Sequence, residues 1–139
     1  MSLRVAVVVP DGEIWSGTAR MVIAKTLDGD IGILGQHPAV LGILAEGSVV
    51  RIIDPEDSPE DGAEQGGEVR AAVSTGFLSV HDDRVSILAR QAELGHRVDQ
   101  SAVRAELDAA ADDAGGASDE ETAEVKYSRA LLRAAGDGS

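Results

Sequence analysis

The sequence predicts a mainly β N-terminal sandwich or barrel followed by a C-terminal α-helical hairpin. Short Val- and Ile-rich runs recur every 8–12 residues through residues 1–89, with Gly, Asp and Pro between them, the spacing of an all-β sandwich or barrel. Residues 99–135 are instead rich in Ala, Glu, Asp and Arg, a helix-favouring composition. The apolar period also changes after residue 90, from alternation to the spacing of an amphipathic helix.

The elements follow in order. Leu3–Val9 alternates, with Leu3, Val5, Val7 and Val9 on one side and Arg4, Ala6 and Val8 on the other. Ala19–Leu27 carries Arg20 and Lys25 among Met21, Val22, Ile23 and Ala24, a strand with one wet face. Further strands are expected at Ile31–Leu34, Val40–Leu44, Ser48–Ile53, Glu68–Ser74, Gly76–His81 and Arg84–Ala89. His81-Asp82-Asp83 reads as the turn joining the last two. From Asp54 to Glu68 stand seven acids, two prolines and three glycines, with no base. Such a segment buries too little apolar area to order itself and reads as a long solvated hairpin loop. As a cation site it lacks anything to hold its carboxylates in register.

Beyond a junction at 90–98, Val103, Leu107, Ala110, Ala111 and Ala114 form the apolar stripe of a first helix. Asp99 or Ser101 can cap it, and Gly115-Gly116 stops it. Ser118 with Glu121 has capping-box form for a second helix. There Ala123, Tyr127, Ala130, Leu131 and Ala134 repeat the stripe. Acids crowd the start of that helix, and Lys126, Arg129 and Arg133 its later turns, as the helix dipole favours. Both stripes are mostly alanine, so burial holds the hairpin weakly and it reads as a part that moves.

The 139 residues carry 12 basic and 25 acidic side chains, a net charge of −13. That balance excludes a non-specific nucleic-acid binder, which needs clustered Lys and Arg. One Phe, one Trp and one Tyr leave no base-stacking platform. With no cysteine there is no disulfide or zinc–thiolate chemistry, and no run of 18 apolar residues is present to span a membrane. His37, His81 and His96 are too scattered to make a metal pair. Asp28 and Asp30 open like a calcium loop, but Gly32 and Ala39 occupy its later ligand positions. The glycines of GDIGILG lack the Lys-Ser/Thr of a phosphate cradle, and no G-x-S-x-G elbow is present. No catalytic, cofactor or metal residue is therefore assigned, and the residues favour a non-enzymatic interaction module.

Three segments, in this order, resemble the epsilon-subunit family of F-type ATP synthases. IWSG at 14–17 looks like the family's first turn, ahead of a long second strand. GDIGILGQHPAVLGIL at 29–44 is similar to its signature loop and strand. STGFLSV at 74–80 with VSILA at 85–89 looks like its closing hairpin. The acidic C-terminal part, ending in SRALLRAAG, looks most like the actinobacterial branch.

The resemblance implies a sandwich of about ten strands over residues 1–89, a junction at 90–98 and a two-helix regulatory part at 99–139. It also implies a non-catalytic central-stalk subunit without cofactor, which couples the proton gradient to ATP synthesis from ADP and phosphate. Its implied partners are the gamma subunit and the c ring and, transiently, the catalytic alpha and beta subunits. Its implied location is peripheral, on the cytoplasmic side of the cell membrane. Asp30 and Ile31 would face the c ring, with His37 nearby at the same end as part of the c-ring and gamma interface. Lys126, Arg129 and Arg133 would meet beta when the hairpin extends, restraining hydrolysis. The family's nucleotide motif, acid-x-x-Arg-Ala, falls on Ser101–Ala105; Ser101 replaces the acid beside Arg104, so ATP binding is not expected. The acidic stretch at 54–68 departs from the family's tight hairpin. The alternative is a free-standing β-sandwich ligand-binding module with a helical tail. Such binders present aromatics, and this chain has only Trp15, Phe77 and Tyr127.

Overall fold

Alternating burial along the strands builds two sheets around one core. The computed structural model describes residues 2–55, 67–114 and 122–136. Its strands are β1 (Leu3–Val9), β2 (Gly12–Ala19), β3 (Met21–Thr26), β4 (Gly29–Leu34), β5 (Val40–Ile43), β6 (Ser48–Ile53), β7 (Glu68–Val73), β8 (Gly76–His81), β9 (Arg84–Ala89) and β10 (Ala92–Leu94). Helices α1 (Gln100–Ala114) and α2 (Ala123–Ala134) follow. One sheet runs β2-β1-β9-β8-β5 and the other β10-β7-β6-β3-β4. The β1–β9 ladder is parallel, whereas the other strand pairs of the two sheets are antiparallel. Leu3, Val7, Trp15, Ile33, Ile52, Leu78, Ile87 and Leu94 are fully buried between the sheets. The chain changes sheet at corners; at one of them Gln91 N–H donates to Ser74 Oγ and Ser74 N–H donates to the Gln91 carbonyl, both at 2.9 Å.

Ile14–Gly17, expected as a turn, lies inside β2. Trp15, only 2% exposed, anchors that strand in the core, and the β1 register slips beside it between Val7 and Val8. The stretch read as a junction at 90–98 contains β10, a three-residue strand made by pairing with β7 rather than by any pattern of its own. Asp82 and Asp83 form the β8–β9 turn with φ of 50° and 61°, the left-handed pair a two-residue hairpin requires.

Asp99 caps α1, its Oδ1 accepting from Ala102 N–H at 3.1 Å. Helix α2 spans Ala123–Ala134, with Thr122 as its cap: its Oγ1 accepts from Val125 N–H at 3.2 Å. Residues 115–121, with Gly115-Gly116 and the Ser118–Glu121 box, lie outside the described residues, as do 56–66 of the acidic loop. Ala123 is exposed, and the stripe that packs is Tyr127, Ala130, Leu131 and Ala134. Helix α2 rests on β6 and β7, and α1 packs on α2.

The two ends of the acidic stretch are tied into the fold. Asp54 pairs with Arg20 at 2.7 Å. The Glu68 side chain, 8% exposed, accepts from Arg51 at 2.8 Å and from Arg70 at 3.0 Å. Burial pushes the Glu68 carboxyl up, but the hydrogen bonds and charges of the two guanidinium groups outweigh it and hold it below its ordinary value.

Candidate protein-docking site

Pairing register lines up the outward side chains of the β2-β1-β9-β8-β5 sheet in three rows. In the first, Ile43 pairs with Phe77, Phe77 with Leu88 and Leu88 with Val8. Ile43, Phe77 and Leu88 are 56%, 51% and 41% exposed, and the row borders an open groove of about 590 Å³ that Val9, Pro10 and Ala89 also line. The second row holds Leu41, Ser79, Ser86, Ala6 and Ser16. The third holds His81, Arg84, Arg4 and Thr18. Neighbouring rows are two residues apart, about 7 Å, so the face grades from apolar through small and hydroxylic to basic. Singly exposed apolar residues are ordinary, but a contiguous band of large ones marks an interaction surface. Leu41, Ile43 and Leu88 carry no motif of their own, and Phe77 stands out only as one of three aromatics, in the sequence. Its available signal was that VLGIL, GFLSV and VSILA are apolar at outward as well as inward positions.

The opposite face is already occupied. Ala72, Ala130 and Ala134 are fully buried together, with Val49, Tyr127 and Leu131 around them. Gly47 lets the helix approach: its φ is +62°, and a Cβ there would lie 2.5 Å from the Lys126 backbone. Arg133 Nη2 donates to the Gly47 carbonyl at 2.9 Å, and Lys126 Nζ stands 3.4 Å from Glu46 Oε1. The Tyr127 hydroxyl is pushed up to about 12, by burial first and then by the Glu93 charge. Of the expected basic flank, Lys126 and Arg133 thus grip the sandwich's own Glu46-Gly47 turn, while Arg129 is exposed.

The other expected residues are dispersed. Asp30 is exposed at the start of β4, beside the Leu27-Asp28 turn, and Ile31 packs against the core. His37 follows the far end of β4, its N–H donating to the Leu34 carbonyl at 3.2 Å. The expectation that His37 and Asp30 share one end is therefore overturned. GDIGIL forms a whole strand between them, at about 3.4 Å per residue, or roughly 14 Å from residue 30 to residue 34. Ser101 and Arg104 are exposed on α1. Among the described residues no group of three His, Asp or Glu side chains could hold a metal, and no helix is long and apolar enough to cross a membrane.

Residues 2–95 match the family model of the ATP synthase delta/epsilon chain beta-sandwich domain. The ATP synthase epsilon chain of Thermobifida fusca is 48% identical to this chain, over 96% of it and 91% of the relative. That of Frankia casuarinae is 46% identical over 68% and 99%, and that of Streptomyces coelicolor 40% over 94% and 97%. Among solved structures, a chain of the Euglena gracilis mitochondrial ATP synthase OSCP/F1/c-ring assembly superposes with a TM-score of 0.62 at 19% identity, covering 94% of this chain and 75% of that one. One from the Tetrahymena thermophila mitochondrial ATP synthase central stalk and c ring gives 0.53 at 20%, covering 96% and 90%. At these identities the structural likeness is one of fold.

Proposed function

The chain belongs to the epsilon chains of ATP synthase, and from that membership we propose that it is the non-catalytic rotor subunit coupling the proton gradient to ATP synthesis from ADP and phosphate. The observation that carries the reading is the uncovered row Ile43–Phe77–Leu88–Val8. Burying such side chains is worth about 1.5–3 kcal/mol each, and the gamma subunit is the partner assigned to that face. The sandwich, 1–89 by the sequence division, is the assembling part, and 99–139 the regulatory one. Asp30, at the end of β4 beside exposed Leu27, is assigned to the c ring; Ile31 backs it from the core, and His37, at the other end, is left to gamma. The subunit is thereby held peripherally on the cytoplasmic side of the membrane.

Restraint of hydrolysis belongs to the same reading. Lys126 and Arg133 are committed to Glu46 and Gly47, so α2 must leave the sandwich before this flank and Arg129 can meet the catalytic alpha and beta subunits. A partner selects the released form by offering contacts the docked form lacks.

The test is co-purification of the tagged chain from native membranes. Gamma, c, alpha and beta are expected with it, and Phe77→Asp is expected to lose them; recovery of the chain alone overturns the reading. Asp30→Cys is expected to crosslink to a cysteine in the c-subunit loop. Replacing Lys126, Arg129 and Arg133 by alanine is expected to raise ATP hydrolysis, and an unchanged rate in an intact, coupled complex removes the regulatory role.

A further inference from the structure

The basic row on the outer face of the β2-β1-β9-β8-β5 sheet carries an inference that rests on the docking reading and deepens it. The parallel β1–β9 ladder sets Arg4 directly beside Arg84. Val5 and Val85, the next pair, are buried, so both arginines leave the core on the same side. Adjacent strands are about 4.8 Å apart, and like charges side by side on a sheet are destabilising. A chain of net charge −13 has acids enough to relieve this, yet neither arginine has an ion-pair partner among the described residues.

Asp82 and Asp83 line a second hollow with the two arginines but make their side-chain contacts elsewhere. The Asp83 carboxylate accepts from Gln36 N–H at 2.6 Å, and that of Asp82 lies 3.3 Å from His81 Nδ1. Glu13 lines a larger cleft but belongs to the apolar row, paired with Val8. The cleft holds about 440 Å³, is walled by the two arginines and otherwise lined largely by small residues, among them Ala6, Ser16, Gly17 and Ser86. It lies on the same sheet face as the apolar band: Leu88 and Arg84 stand four residues apart on one strand, about 14 Å.

We propose that the protein seated on the apolar row carries acidic side chains that enter this cleft and bind Arg4 and Arg84. The face is then read in one direction only: an apolar ridge at the groove end and carboxylates at the arginine end. A partner turned end for end would set its carboxylates against Phe77 and Leu88 and leave both arginines uncompensated, so the pair fixes orientation as well as speeding encounter.

The experiment measures association of the full chain with the purified gamma subunit at low and high salt. The double variant R4Q/R84Q is expected to associate about tenfold more slowly at low salt, with a flattened salt dependence. Phe77→Ser is expected to raise the dissociation rate instead. If R4Q/R84Q matches the parent at both salt levels while Phe77→Ser weakens binding, the arginine inference is wrong and the docking face stands. If Phe77→Ser also changes nothing, the docking face itself is wrong. Arg84→Glu supplies the converse: its association is expected to slow further at low salt, and an unchanged or faster rate overturns the proposal. Binding of inorganic phosphate by the isolated chain, abolished in R4Q/R84Q while gamma association stays intact, would mark a small-anion site and likewise overturn it.

Discussion

The sandwich and the helical hairpin bury apolar surface by opposite means. Between the sheets, branched and aromatic side chains such as Ile33, Ile52, Leu78, Ile87 and Trp15 interlock, with strand ladders on both sides. Under α2, three alanines meet, framed by Val49, Tyr127 and Leu131, and two polar contacts reach one turn. A buried methyl contributes about 0.8 kcal/mol, so the second interface gains little per residue. Its fully buried side chains are all alanines, and the larger Val49, Tyr127 and Leu131 around them are only partly buried. The contrast teaches that the α2 interface holds far less apolar surface than the core between the sheets.

The sharpest way to break this contrast is at Trp15. Trp15→Ala is expected to cost about 3–5 kcal/mol and to melt sandwich and helices together in thermal unfolding. Trp15→Phe is expected to cost much less, because the indole Nε1 has no hydrogen-bond partner to lose among the described residues. A Phe variant as unstable as the Ala one would refute that account of the site.

Next in size is Glu68→Gln, which weakens the acceptor that Arg51 and Arg70 share; a loss of about 1–3 kcal/mol is expected in denaturant titration. Because the folded-state carboxyl is held below its ordinary value of 4.5, its contribution is present above that value and disappears as pH falls through the depressed one. The Gln variant is expected to show correspondingly less acid sensitivity than the parent.

A smaller effect tests the hairpin alone. Ala72→Leu places a branched side chain under α2 but outside the sandwich core. Hydrogen exchange across 123–134 is expected to accelerate while the melting of the sandwich stays nearly constant. Full protection of α2 in that variant would show that the alanine seat does not hold the helix. The smallest effect is alkaline. With the Tyr127 hydroxyl raised from 10.0 to about 12, its contribution to docking is complete below the lower value and fades as pH climbs through the higher. Tyr127→Phe is expected to remove this dependence from α2 exchange rates.

Legibility in the sequence followed the strength of local pattern. β1, β6, β8 and β9 could be read to the residue, because alternation and flanking turn residues agree there. β2 could not: Ile14–Gly17 resembles a turn, and only Trp15 in the core reveals the strand. β10 is too short for any period. The docking rows exist only once register is known, since Ile43, Phe77, Leu88 and Val8 come from four separate segments. Likewise, Lys126 and Arg133 were visible as a basic flank, but their target, the Glu46-Gly47 turn, lies far away in the chain.

The parallel β1–β9 ladder also bears on how the protein is made. β1 sits between β2 and β9 in its sheet, and it is made before every other described strand. Its partner on one side follows at once, whereas the one on the other side emerges only when almost the whole sandwich has been translated. Until then β1 holds an unpaired row of backbone donors and acceptors, the kind of edge that recruits other chains. Closing so distant a pair costs loop entropy before any contact repays it. The β2-β1-β9-β8-β5 sheet therefore cannot be completed before β9 has been made.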